Sequence, residues 1–251
     1  MNDQAVVITS FGTSVPEARE SITAVENALA DAATGRPCLR AFTSPTIRRI
    51  LKGRGEDVPS LTEALEWLAA TGVQQVIVQP THLLYGYEYD RLKAEAEALA
   101  DRFGRITVGR PLLADTRDLQ RFARHLALDH PAVAGAAMVC MGHGTDHFAN
   151  MVYPALQTAL TLLGREDMYV GTVEGWPGLE DVLRRLEPGG PRRIHLLPLM
   201  LVAGDHARND MAGDWKGRLA AAGHSVTCSF TGLGQRDWVR EMYRERLAAL
   251  L

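Results

Sequence analysis

Three side chains suited to a divalent metal stand just beyond three strand-like runs in the second half of the chain. His143 lies between two glycines in Met141-Gly142-His143-Gly144-Thr145, and Glu174 opens the turn-rich Glu174-Gly175-Trp176-Pro177-Gly178. His206 sits in the polar loop Gly204-Asp205-His206-Ala207-Arg208-Asn209. Two imidazoles and one carboxylate suit Co²⁺, Fe²⁺, Ni²⁺ or Zn²⁺. Three protein ligands leave coordination positions open for an exchangeable partner. Each residue also has a plainer reading. His143 fits a turn histidine, Glu174 a solvated loop charge, and His206 a loop residue ahead of a helix capped by Asn209. The glycines around His143 favour function, because they let backbone approach a ligand closely. His147, four residues on, is either a supporting partner of a bound histidine or a spare ligand.

The elements that must position these residues alternate along the chain. Strand-like runs cover Ala5–Thr9, Leu39–Phe42, Gln75–Gln79, Arg105–Val108, Ala136–Met141, Met168–Val173, Arg193–Leu199 and Ser225–Phe230. Amphipathic stretches separate them: Val15–Ala30, Leu61–Ala70, Tyr89–Arg102, Thr116–Leu128, Asn150–Leu163, Leu179–Leu186 and Asp210–Ala222, with Asp237–Leu250 last. Such alternation predicts an α/β fold of parallel sheet flanked by helices.

The two halves repeat each other. Ser10-Phe11-Gly12-Thr13 after the first run matches Gly142-His143-Gly144-Thr145 after the fifth. Pro80-Thr81-His82-Leu83 with Gly86 matches Pro198-Leu199-Met200-Leu201 with Gly204, and Arg117-Asp118 matches Arg236-Asp237. Three matches in one order predict a duplication, with two similar lobes, 1–130 and 131–251, and an inter-lobe cleft. Ligands of such sheets sit beyond the carboxyl ends of the strands. Phe11 falls at the place of His143, Ser44 near that of Glu174, and Glu88 at that of His206. The second half is therefore equipped for metal and the first for something flat and apolar. Tyr85, Tyr87 and Tyr89 cluster beside Glu88; packing is the ordinary role of such rings, and stacking on a flat ligand is the alternative. His82 lines the cleft or sits in the core.

Composition excludes several classes. The net charge of -3 gives no support to nucleic-acid binding. Cys38, Cys140 and Cys228 are too few and scattered for a disulfide framework or zinc knuckle, which suits a reducing cytoplasm. No apolar run reaches the ~18 residues of a membrane span. There is no Walker A loop, nucleophile elbow or dinucleotide fingerprint, so no ATP chemistry is expected.

The motifs resemble one family in particular. Ser10-Phe11-Gly12-Thr13-Ser14 looks like the opening of the anaerobic, early-insertion cobaltochelatases of cobalamin biosynthesis. Met141–Thr145 with Ala149-Asn150 and Tyr153-Pro154 looks like their central motif, and Val173-Glu174-Gly175 and Pro198–His206 complete it. The resemblance implies a ferrochelatase-like two-lobed fold, Co²⁺ as substrate metal, and sirohydrochlorin or precorrin-2 as the tetrapyrrole. It implies His143, Glu174 and His206 as metal ligands. Some family members are exported and carry haem; with no signal peptide evident, no haem is expected here. Phe11, Thr13, Tyr85 and Glu88 are the candidates for macrocycle contact. His143 and Glu174 are the catalytic candidates, with His143 as the base. Arg48, Arg91 or Arg208 would pair with substrate carboxylates. Iron insertion for siroheme, a non-catalytic metal or tetrapyrrole carrier, and a metal-free binding protein are the rival readings; a homo-oligomer is compatible with each.

Overall fold

Runs rich in Val, Ile and Leu make the strands. A computed structural model describes residues 3–186 and 190–251. Among the described residues, eight strands form two four-stranded sheets in which every paired neighbour is parallel. In the first, β1 (Gln4–Ser10) is followed by α1 (Pro16–Ala32), β2 (Cys38–Phe42), α2 (Pro45–Gly53), α3 (Leu61–Ala70) and β3 (Gln75–Pro80). Then come α4 (Tyr87–Ala98) and β4 (Arg105–Val108), and the strand order is β2-β1-β3-β4. The second sheet repeats this order. After α5 (Thr116–Asp129) come β5 (Ala136–Gly142), α6 (Val152–Leu162), β6 (Met168–Thr172), α7 (Leu179–Leu186) and β7 (Arg193–Pro198). The chain closes with α8 (Lys216–Ala221), β8 (Ser225–Cys228) and α9 (Asp237–Ala248), and the order is β6-β5-β7-β8. The shared order agrees with the internal repeat read from the strand-end motifs.

The central strands are buried along nearly their whole length, as helix-covered parallel strands must be. In the first unit Ala5, Val7, Val76 and Val78 pack with Leu61, Leu65 and Leu92. In the second, Val139, Met141, Ile194 and Leu196 pack with Val182, Met211 and Trp215. Two helix starts are fixed by side-chain caps of reciprocal form. Ser60 and Asp115 form reciprocal capping boxes with Glu63 and Asp118.

The chain divides into two compact units, Met1–Leu112 with Gly234–Leu251, and Leu113–Leu233. The boundary at residue 130 expected from sequence falls between α5 and β5, within the second of these units. The last helix belongs to the first unit because its buried face, Val239, Met242, Tyr243 and Leu247, has its partners there. Tyr243 donates from its hydroxyl to the Thr81 carbonyl at 2.6 Å. No helix of the described residues is long and apolar enough to cross a membrane.

Candidate metal centre

β5 ends at Gly142, so His143 is the first residue beyond one of the two central strands of the second sheet. Glu174 stands two residues beyond β6 and His206 eight beyond β7. These are the two neighbours of β5, so sheet order converges all three loops on the carboxyl edge at the switch between β6 and β7. Backbone bonds hold the loops together: the Glu174 amide donates to the His143 carbonyl at 2.7 Å, and the Val173 amide to the Gly142 carbonyl at 3.1 Å.

Local sequence then shapes the loops. A Cβ at Gly142 would collide with the Tyr153 ring, which is buried and whose hydroxyl accepts from the Gly144 amide at 3.4 Å. Gly144 has φ +83°, and a Cβ there would lie 2.5 Å from the Gly175 amide nitrogen. The two glycines were expected to admit a ligand. What approaches them is the protein itself, a ring at one and backbone at the other. Asn150, 8% exposed, ties both loops: its Oδ1 accepts from the Thr145 amide at 3.1 Å and its Nδ2 donates to the Trp176 carbonyl at 2.5 Å.

His143, Glu174 and His206 form the one group of three or more potential metal-binding side chains among the described residues. One ligand atom from each lies within 4.8 Å of the others. His143 Nε2 is 3.8 Å from Glu174 Oε2, and the two imidazoles sit perpendicular with centroids 4.5 Å apart. Metal bonds of about 2.1 Å span ligand pairs up to about 4.2 Å apart, so small side-chain adjustments close the set on one ion. The side chains are free to adjust, since His143 is 46% and Glu174 58% exposed. Exposure also suits an ion that must arrive and leave. Each imidazole has its Nδ1 engaged: His143 with the Gly144 carbonyl at 2.8 Å, His206 with Asp210 Oδ2 at 2.7 Å. A carbonyl and a carboxylate only accept, so Nδ1 carries the proton in both rings and a neutral ring keeps its Nε2 lone pair for metal.

The first-unit candidates do not form a metal cluster among the described residues. Phe11 presents a half-exposed ring just beyond β1. Thr13 is buried, and its hydroxyl accepts from the Val15 amide at 3.2 Å. Tyr85 meets Tyr89 edge to face at 4.8 Å and accepts from Arg110 at 3.4 Å. Glu88 lies in the first turn of α4, 3.4 Å from Arg91, with its second oxygen buried and unpartnered. Ser44, the positional match of Glu174, caps α2 by accepting from the Ile47 amide at 3.3 Å. Arg48 is committed to Glu63 and the Val58 carbonyl. His147 accepts through Nδ1 from the Ala149 amide at 3.0 Å. His82 is neither satisfied nor exposed at its ring nitrogens: both are buried without partners, and burial pushes its pKa down to about 4.

Sequence reasoning missed Asp210 and gave Asn150 and Tyr153 no role. Asp210 escaped because the helix had been started at Asp210 itself, with Asn209 as cap. The backbone is instead helical from Asp205 and widens into a π-helix over Ala207–Trp215 with no side-chain cap. That turn brings Asp210 back to His206.

The family model described as cobalt chelatase (CbiK) matches residues 4–251. The sirohydrochlorin cobaltochelatase of Salmonella typhimurium is 39% identical over 247 residues, 96% of this chain and 93% of that one. The sirohydrochlorin cobaltochelatase CbiKC of Nitratidesulfovibrio vulgaris is 32% identical over 257 residues, 99% and 91% of the two chains. Among solved structures, SirB from Bacillus subtilis with Fe³⁺ matches with a TM-score of 0.72 at 17% identity, covering 97% of this chain and 94% of that one. The SirB of Bacillus subtilis subspecies spizizenii in complex with cobalt gives 0.67 at 14%, with 97% and 93% covered. The fold is therefore the two-lobed chelatase fold, and the chain belongs to the CbiK cobalt chelatase family.

Proposed function

We propose that this protein inserts Co²⁺ into sirohydrochlorin for cobalamin synthesis, using His143, Glu174 and His206 to hold the incoming ion. The observation that carries the proposal is the trio itself, with both Nε2 atoms left to the metal, in a chain of the cobalt chelatase family. Its relatives of 39% and 32% identity are sirohydrochlorin cobaltochelatases.

The balance is simple: one Co²⁺ enters, two pyrrole protons leave, and no electron moves. The macrocycle's nitrogens replace the protein ligands one after another, so weakly held, exposed ligands serve better than a closed cage. His143 is assigned as proton acceptor. An Nε2 bound to metal cannot take a proton, so it accepts one only after releasing the ion. Glu174 keeps the charge of the ion offset until transfer. Phe11, Thr13, Tyr85 and Glu88 are assigned to the macrocycle. The half-exposed ring of Phe11 supports a stacking role, whereas Thr13, already bonded within its turn, would act by shaping the Phe11 loop. The reaction is assigned without ATP.

The test mixes sirohydrochlorin with Co²⁺, with Fe²⁺, or with neither, at enzyme far below substrate, and follows the macrocycle's absorbance. Many moles of cobalt product per mole of protein, faster than with Fe²⁺, are expected. Product that stops at one equivalent means a carrier, and a faster Fe²⁺ reaction means the siroheme branch; each overturns the proposal.

A further inference from the structure

We infer that Asp210 is a positioning residue that aims His206 at the metal. The inference rests on His206 being a ligand, as proposed above. The two imidazoles of the site are supported differently. His143 gives its Nδ1 proton to the neutral carbonyl of its own loop, at 2.8 Å. His206 gives its Nδ1 proton to a carboxylate, at 2.7 Å. A carboxylate in that place fixes the tautomer, orients the ring, and makes the opposite nitrogen a stronger donor to metal.

The backbone under this pair is built to hold it. The segment from Ala207 to Trp215 is π-helical, a wider turn that is rare and frequently found at functional sites. Ala207, Met211 and Trp215 repeat at four-residue spacing and are buried in the core of the second unit. His206 and Asp210 share that spacing and each precedes one of the buried residues. Trp215 is pinned in turn, since a Cβ at Gly171 would meet its ring at 2.8 Å. The pair therefore rides on an anchored element, while its own side chains remain over a third exposed. A hydrogen-bonded pair this exposed contributes little to folding stability. Its consequence is read at the metal, not in the melting temperature.

The experiment titrates Co²⁺ alone into wild type, Asp210→Ala, Asp210→Asn and His206→Ala by calorimetry. It also records the visible absorption of the bound ion and measures KM for Co²⁺ and kcat separately. Asp210→Ala should lose about 10- to 100-fold in Co²⁺ affinity, the range for removing a histidine's supporting carboxylate. It should also shift the Co²⁺ absorption bands and raise KM for Co²⁺, with an unchanged melting temperature. Asp210→Asn keeps an acceptor for Nδ1 but not the charge, and should lose less than Asp210→Ala, falling between wild type and alanine. If the alanine variant does not fold, the asparagine variant decides alone. Either variant within twofold of wild type in affinity, with an unshifted spectrum, overturns the role of Asp210. His206→Ala with wild-type affinity would instead overturn the ligand assignment, so the two failures are distinct.

Discussion

Replacing Gly144 by alanine tests whether the loops carrying His143 and Glu174 work as one unit. Two costs add. The residue sits at φ +83°, where an L side chain costs about 1–2 kcal/mol. Its Cβ would also lie 2.5 Å from the Gly175 amide nitrogen, 2.8 Å from Thr172 Cβ and 3.0 Å from the Glu174 carbonyl carbon. None of these is the end of a flexible side chain, so the loops must separate, at about 1–3 kcal/mol for overpacking. The sum, about 2–5 kcal/mol, is a large share of the ~5–15 kcal/mol that holds a typical domain together. Gly164→Ala is the matched control, with φ +75° and nothing within 4 Å of the added Cβ. Equilibrium urea unfolding should show the strain alone in Gly164→Ala and the strain plus the clash in Gly144→Ala. Calorimetry should show Co²⁺ affinity lost only in Gly144→Ala, because the Glu174 amide bonds the His143 carbonyl across the contact. Equal destabilisation by the two variants, with wild-type Co²⁺ affinity in both, would refute the idea that close packing of the loops sets the metal geometry.

Three other outcomes follow from the same structure. His82 has a folded-state pKa of about 4 against 6.5 for an unperturbed histidine, so the unfolded chain binds more protons between those values. Its contribution is intact above about pH 6.5 and is lost as pH falls toward about 4, about 3 kcal/mol in all; acid unfolding of His82→Leu should show that loss removed, and an identical acid profile would contradict the burial argument. Phe11→Ala should weaken binding of metal-free sirohydrochlorin about fivefold, the equivalent of about 1 kcal/mol for a stacked ring, and leave Co²⁺ affinity unchanged. His206→Ala should do the reverse in the same titrations, and a Phe11 variant that loses Co²⁺ but keeps the macrocycle would invert the assignment of the two units.

The positions of the sheets and of the trio were legible because they depend on patterns a sequence displays. Apolar runs such as Val76-Ile77-Val78 and Val139-Cys140-Met141 are buried along their length, and each of the eight runs overlaps a strand. His143, Glu174 and His206 follow three such runs, and parallel order alone brings their loops to one edge. Other features depend on backbone detail that residue types do not encode. α2 was missed because Ser44-Pro45 reads as a turn and the helix is short, ending at Gly53. The π-helical turn hid Asp210 behind an apparent cap at Asn209. The return of α9 to the first unit rests on Tyr243 finding the Thr81 carbonyl 162 residues away, a pairing with no local signal. The flanking glycines of His143 marked a crowded place correctly, but not what crowds it.

The proposed mechanism requires one Co²⁺ to bind between His143, Glu174 and His206. The most direct measurement is a crystal of the protein soaked in Co²⁺ and recorded on either side of the cobalt absorption edge. An anomalous peak is expected about 2.1 Å from Nε2 of both histidines and from a carboxylate oxygen of Glu174. A cobalt peak elsewhere, with these three side chains untouched, would contradict it.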